Sequence, residues 1–216
     1  MGNIVIQKIK DEKLIAILRG ISSEQCLPVA QALTDGGITL VELPFNQKDP
    51  ASFADTAKAI SKIREHFSGK VEVGAGTVLT PAQVDLAADA GAGYMISPDT
   101  KPDVIERTLQ RGRVSIPGAL TPSEITLAAS CGADFVKLFP AGTLGVDYIK
   151  AVAAPLNHLP FLGVGGVNPE NIPALLKAGC LGFGIGGNLV NRAWIEAGDY
   201  KKLTETAKAF CRAVGR

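Results

Sequence analysis

Leu14-Ile-Ala-Ile-Leu18, about twenty residues of helical character, and then Leu40-Val-Glu-Leu-Pro44 decide the fold, because this strand, helix, strand pattern recurs along the whole chain. The later runs are Val71-Glu-Val-Gly-Ala75, Tyr94-Met-Ile-Ser97, Val114-Ser-Ile116, Phe135-Val-Lys-Leu-Phe139, Phe161-Leu-Gly-Val164 and Leu181-Gly-Phe-Gly-Ile185. All eight are short and mostly apolar, as parallel strands covered on both faces must be. Their starts lie 20 to 31 residues apart, which leaves room for one helix between neighbours. Thr80-Pro81 and Thr121-Pro122-Ser-Glu124 read as helix starts, and Gly36-Gly37, Gly91, Gly132 and Gly179 stand where helices should end. Eight such units without a linker predict a (β/α)₈ TIM barrel filling residues 1–216 as a single domain. The residues before Leu14 read as a short N-terminal helix plugging the barrel mouth. A doubly wound open sheet uses the same alternation, but the absence of a dominant glycine-rich first turn favours closure.

Composition narrows the class. The chain has 216 residues, 46% hydrophobic and 20% charged, with a formal net charge of +1. Such a balance suits one globular α/β core and offers no basic surface for nucleic acid or anionic membrane. Met1 to Lys13 mixes lysines and acids among apolar positions, so neither a signal peptide nor a membrane span is expected, and the reading is a cytoplasmic protein. Cys26, Cys131, Cys180 and Cys211 form no C-x-x-C pair, which points to reduced thiols rather than a disulfide or zinc framework.

In a TIM barrel the chemistry sits at the C-terminal ends of the strands. The polar residues there are Arg19, Glu42, Asn46, Thr77, Ser97 and Lys137, followed by Gly165-Gly166 and Gly186-Gly187-Asn188. Lys137 is the most informative, because hydrophobic neighbours wall its stem on both faces of the strand. Burial disfavours an ammonium, and an amine left partly uncharged can attack a ketone to form an imine. The competing reading is a lysine that extends its stem and keeps its charge in water. Glu42 is the matching acid in an apolar strand. If Val41 and Leu43 face the helices, it points inward, across the barrel from Lys137. Schiff-base aldol chemistry needs such a pair, an amine to build the electron sink and a carboxylate to move protons; a buried ion pair or an outward-facing acid is the alternative.

The two glycine loops, at the seventh and eighth runs, would let backbone N–H groups approach an anion, each at the start of a helix. Turn geometry alone could also explain them. Arg19 adds a cation for a carboxylate or phosphate, unless it is only a surface arginine. His66 and His158 lie away from the strand C-termini, so no triad forms, and no ligand cluster there favours a metal.

These residues resemble the lysine-dependent aldolases of 2-keto-3-deoxy-6-phosphogluconate and 2-keto-3-deoxy-6-phosphogalactonate. The matching stretches are Ala16-Ile-Leu-Arg-Gly20, Val41-Glu42, Gly74-Ala-Gly-Thr-Val78, Pro117-Gly118 with Thr121-Pro-Ser-Glu124, Val136-Lys-Leu-Phe-Pro140 and Gly165-Gly166. The resemblance implies Lys137 as the imine lysine, Glu42 as the general acid/base, and Thr77 and Arg19 at the pyruvyl end of the substrate. It implies a phosphate site at Gly165, Gly166, Gly187 and Asn188, no cofactor and a homotrimer. Pro44-Phe45-Asn46 replaces the Thr-Leu-Arg of the gluconate type, and Val164 replaces a threonine. Both departures are similar to the galactonate branch, so Asn46 and Val164 become substrate-binding candidates and the expected reaction yields pyruvate from the galactonate epimer. The alternatives are cleavage of the gluconate epimer or of 4-hydroxy-2-oxoglutarate, a phosphosugar isomerase or epimerase, and a non-catalytic phosphosugar-binding protein.

Overall fold

The computed structural model describes residues 2–216. Its strands are β1 (Leu14–Ile17), β2 (Leu40–Pro44), β3 (Glu72–Gly76), β4 (Tyr94–Ile96), β5 (Val114–Ile116), β6 (Gly118–Ala119), β7 (Val136–Leu138), β8 (Phe161–Val164) and β9 (Cys180–Ile185). All pairings are parallel, in the order β5-β4-β3-β2-β1-β9-β8-β7-β6. The first and last members of that order are two halves of one extended run, 114–119, divided at Pro117, which has no N–H to give the ladder. On one side of this run Ser97 N donates to Ile116 O (3.2 Å); on the other Lys137 N donates to Pro117 O (2.9 Å). The sheet therefore closes on itself, and the open doubly wound alternative is excluded. The fifth predicted strand is simply longer than its three apolar residues suggested.

Ten helices surround the barrel among the described residues: α1 (Gly2–Glu12), α2 (Cys26–Asp35), α3 (Phe53–Phe67), α4 (Pro81–Asp89), α5 (Pro102–Gln110), α6 (Pro122–Ser130), α7 (Ala141–Ala153), α8 (Ile172–Ala178), α9 (Arg192–Glu196) and α10 (Tyr200–Ala213). Local chemistry sets their limits. Thr80 caps α4 by accepting from Gln83 N, with Pro81 in the first turn, and Thr121 and Glu124 form a reciprocal capping box on α6. Gly179 ends α8 in the left-handed region at φ +120°, where only glycine is unstrained.

The pleat sorts side chains into two layers. Val41, Leu43, Val136 and Leu138 pack outward into the large core beneath the helices, while Ile15, Leu40, Tyr94, Ile96, Ile116, Phe135 and Leu162 fill the barrel interior. Val5 and Ile9 of α1 join the inner cluster, so α1 closes the barrel floor as expected. Tyr94 fits because position 74 lacks a side chain: a Cβ there would lie 2.1 Å from its ring. The floor is thus filled by described residues, and the space left inside the barrel lies toward the opposite rim.

Candidate active site

Glu42 and Lys137 share the inner layer with these apolar residues, one level below the C-terminal rim. Their outward neighbours Val41, Leu43, Val136 and Leu138 are buried under the helices, which leaves 42 and 137 no direction but inward. Glu42 is 2% exposed and Lys137 8%. Room for the Glu42 carboxyl comes from Gly76 on the adjacent strand, where a Cβ would overlap Oε1. Oε2 of Glu42 has no hydrogen-bond partner. A buried carboxyl oxygen without a donor is costly, about 1–3 kcal/mol, and such orphans in a folded protein ask for an explanation in function.

Burial dominates the electrostatics of both groups. It pushes the Glu42 carboxyl above its ordinary range, against the opposing pull of Lys137 and Arg19. It pushes the Lys137 amine below its ordinary value; Glu42 resists this, Arg19 reinforces it, and Asp99 on the loop after β4 resists it again. Each group therefore moves toward neutrality, the condition for an amine that attacks carbon and a carboxyl that both gives and takes protons. The Lys137 ammonium sits 4.8 Å from the centre of the Phe139 ring, which stands half-open at the rim.

Above this pair lie two cavities that share Arg19. One, of about 260 Å³, is lined by Arg19, Phe139, Val164, Gly165, Gly166, Gly187 and Asn188; the other, of about 360 Å³, by Arg19, Asn46, Gln47 and Thr77 among others. The binding candidates read from the sequence, Arg19, Asn46, Thr77, Val164, Gly165, Gly166, Gly187 and Asn188, all line these two cavities, while the buried Glu42 and Lys137 line neither. Arg19 is exposed there, and no acidic side chain of the described residues forms an ion pair with it.

The glycine loops are held in a way the sequence did not announce. Gly142 N donates to Gly165 O (2.7 Å), Asn171 Nδ2 to Gly166 O (2.9 Å), and Asn188 Nδ2 to Val167 O (2.8 Å). With those carbonyls turned into the protein, the N–H groups of Gly166 and Val167, on the far side of the same peptide planes, have no acceptor among the described residues; nor do those of Gly187 and Asn188. Gly165 (φ +90°) and Gly166 (φ +71°) adopt this shape without strain. Such a nest of free amides suits an anion. Neither loop runs straight into a helix, as the sequence had suggested: α8 begins only at Ile172 and α9 at Arg192, so the amides come from the loops themselves. Gly142 and Asn171 escaped the sequence reading. A Cβ at Gly142 would lie 2.7 Å from the Gly166 Cα, a close approach that no local pattern signals.

The family model for KDPG and KHG aldolase matches residues 5–206. The chain belongs to that family. A member from Escherichia coli (strain K12), 2-dehydro-3-deoxy-6-phosphogalactonate aldolase, is 36% identical over 201 residues, 93% of each chain. A probable 2-dehydro-3-deoxy-6-phosphogalactonate aldolase from Rhizobium meliloti (strain 1021) is 39% identical over 205 residues, 94% of this chain and 93% of the relative. Among solved structures of the family, KDPG aldolase from Legionella pneumophila, with pyruvate captured at low pH as a covalent carbinolamine intermediate, superposes with a TM-score of 0.83 at 27% identity, covering 92% of this chain and 94% of that one. The aldolase fold and class therefore apply to this barrel, and no helix among the described residues is long and apolar enough to cross a membrane.

Proposed function

We propose that this aldolase cleaves 2-keto-3-deoxy-6-phosphogalactonate to pyruvate and glyceraldehyde 3-phosphate through an imine on Lys137. The observation that carries the reading is Lys137, buried in the same inner layer as Glu42, whose Oε2 has no donor, on a barrel whose glycine loops leave amides free. The uncharged Lys137 Nζ adds to the C2 ketone. Glu42 in its acid form protonates the carbinolamine oxygen, water leaves, and a protonated imine forms. Glu42, now a carboxylate, removes the C4 hydroxyl proton as the C3–C4 bond breaks, and the electron pair flows into the imine. Glyceraldehyde 3-phosphate departs. Glu42 returns its proton to C3 of the enamine, and water then releases pyruvate and the free amine.

Arg19 and Thr77 hold the pyruvyl carboxylate, and the amides of Gly166, Val167, Gly187 and Asn188 receive the phosphate. Asn46 and Val164 line these two cavities, one with a neutral amide and the other with a hydrocarbon. The names of the two bacterial relatives support the galactonate epimer, and the carbinolamine in the Legionella enzyme supports the covalent step. The protein works as a cytoplasmic homotrimer in this reading. Leu86, Leu109, Leu120 and Leu127 stand exposed on neighbouring helices α4 to α6 and the turn before α6, a face suited to a second copy.

Borohydride reduction with pyruvate should place one stable adduct on Lys137, and Lys137→Ala should abolish both adduct and turnover. Turnover surviving in that variant, or an adduct elsewhere, would defeat the imine. Side-by-side kcat/KM values for the two epimers decide the substrate, with the galactonate epimer expected to be cleaved faster. Light scattering of the purified protein reads the trimer directly.

A further inference from the structure

Thr77 follows β3 with φ +53°, in the left-handed region that a β-branched residue rarely enters. Three consecutive carbonyls around it are each held by a side chain, one from the loop after β2 and two from the segment after β4. Gln47 Nε2 donates to Thr77 O (2.7 Å), Ser97 Oγ to Val78 O (2.7 Å), and Lys101 Nζ to Leu79 O (3.2 Å). Behind Gln47 stands Gln83, a buried amide whose Nε2 donates to Gln47 Oε1 (3.0 Å) while its Oε1 accepts from Leu79 N (2.7 Å). A chain of two amides thus runs from Leu79 back to Thr77 and closes a loop around the strained residue. Meanwhile Gly76 O accepts from Phe45 N (2.9 Å), and the Thr77 N–H, on the other side of that peptide, has no acceptor among the described residues. A strained conformer persists only where its surroundings over-determine it, and such strain collects at ligand clamps.

We propose that Gln47, braced by Gln83, is a positioning residue that holds Thr77 in its left-handed conformation, so that its free N–H and hydroxyl meet the pyruvyl end of the substrate. The proposal rests on the reading of Thr77 as a substrate-binding group. Gln47 is the effective member of the clamp because it alone holds the Thr77 carbonyl itself, and because it comes from the loop after β2, the strand that carries Glu42. Releasing it lets the Thr77 peptide relax toward an ordinary β conformation, which turns both donors away from the cavity.

The test is the pyruvate concentration that half-saturates borohydride trapping of Lys137, measured for the native protein, Gln47→Met, Thr77→Gly and the double variant. Gln47 is exposed, so Gln47→Met keeps the fold, and a melting curve checks this. One lost hydrogen bond to a strained peptide should raise the half-saturating concentration roughly three- to tenfold, with the trapping rate at saturating pyruvate unchanged. Gln83→Leu should move it the same way by a smaller factor. In the Thr77→Gly background the left-handed backbone carries no strain and the hydroxyl is gone, so adding Gln47→Met should change the value less than twofold. Equal effects of Gln47→Met in both backgrounds would mean that Gln47 touches the substrate itself, and the positioning role would fall. No effect of Gln47→Met in the native background would overturn it as well. If Thr77→Gly alone leaves the value unchanged while Gln47→Met raises it, the assignment of Thr77 to the substrate is what has failed.

Discussion

The loop at Gly165–Val167 and the loop at Thr77–Leu79 solve one problem in two ways. In each, three successive carbonyls are occupied by donors from elsewhere in the chain, and backbone N–H groups are left facing the mouth. The first uses glycine at φ +90° and +71°, where the conformation is free of strain; the second uses threonine at φ +53°, at a cost of order 1–3 kcal/mol. In the function proposed above, the difference follows from what each loop recognises. A phosphate presents several equivalent oxygens, so amides alone suffice and a side chain would only take up space. A small keto acid offers less to grip, and a threonine adds a hydroxyl and a methyl that glycine cannot. The loop that needs a side chain accepts strain and is braced by Gln47, Ser97 and Lys101.

The contrast breaks most visibly at Gly166. An alanine there would be forced to φ +71°, with its Cβ 3.1 Å from the Gly142 Cα. Gly166→Ala should lower kcat/KM for the phosphorylated substrate about 10²-fold, the usual consequence of misplacing a binding group by an ångström. Trapping of Lys137 by pyruvate, which has no phosphate, should be almost unaffected. Equal loss in both assays would show that the two loops are not separable. The opposite exchange is expected at the other loop. Thr77→Gly should raise the half-saturating pyruvate concentration about tenfold while increasing stability, because relief of strain exceeds the entropic cost of glycine by about 1 kcal/mol. For a domain of this size that corresponds to a melting temperature higher by about 2–4 °C, measurable by calorimetry.

These two loops also mark how far the sequence could be read. The barrel was legible because eight apolar runs, spaced for one helix each, allow few other solutions, and because capping signals such as Thr121 to Glu124 act within a single turn. Glu42 and Lys137 stood out because charges inside apolar strands are rare, and the bland readings, a snorkelling lysine and a buried ion pair or outward-facing acid, were the less favoured ones. Glycines 165 and 166 were visible as a pair, but the partners that aim their amides were not: Gly142 and Asn171 act across loops whose approach is set by the closed barrel. Gln47 and Gln83 were equally silent, since two glutamines 36 residues apart meet only when β2 and β3 pair. The division at Pro117 was invisible for the reverse reason, as a proline between two apolar stretches reads as an end rather than a bend.

In the proposed mechanism Glu42 trades stability for chemistry in a way that pH can expose. Its carboxyl is raised above the ordinary range by burial, and Oε2 lacks a donor. A group whose pKa is higher in the folded than in the unfolded chain contributes stability below its unfolded value, about 4.3, and loses that contribution as pH rises through the folded value. Glu42→Gln has the shape of the protonated acid and does not titrate. Its melting temperature should therefore exceed that of the native protein by a few degrees at pH 8, with the gap narrowing toward pH 5, while kcat falls about 10²–10⁴-fold. Melting curves that run parallel from pH 5 to 8 would mean that Glu42 titrates like an exposed carboxylate. The narrowing gap ties the lost activity to the same proton whose burial the fold tolerates, because a variant that merely loosened the site would lose activity without gaining stability at high pH.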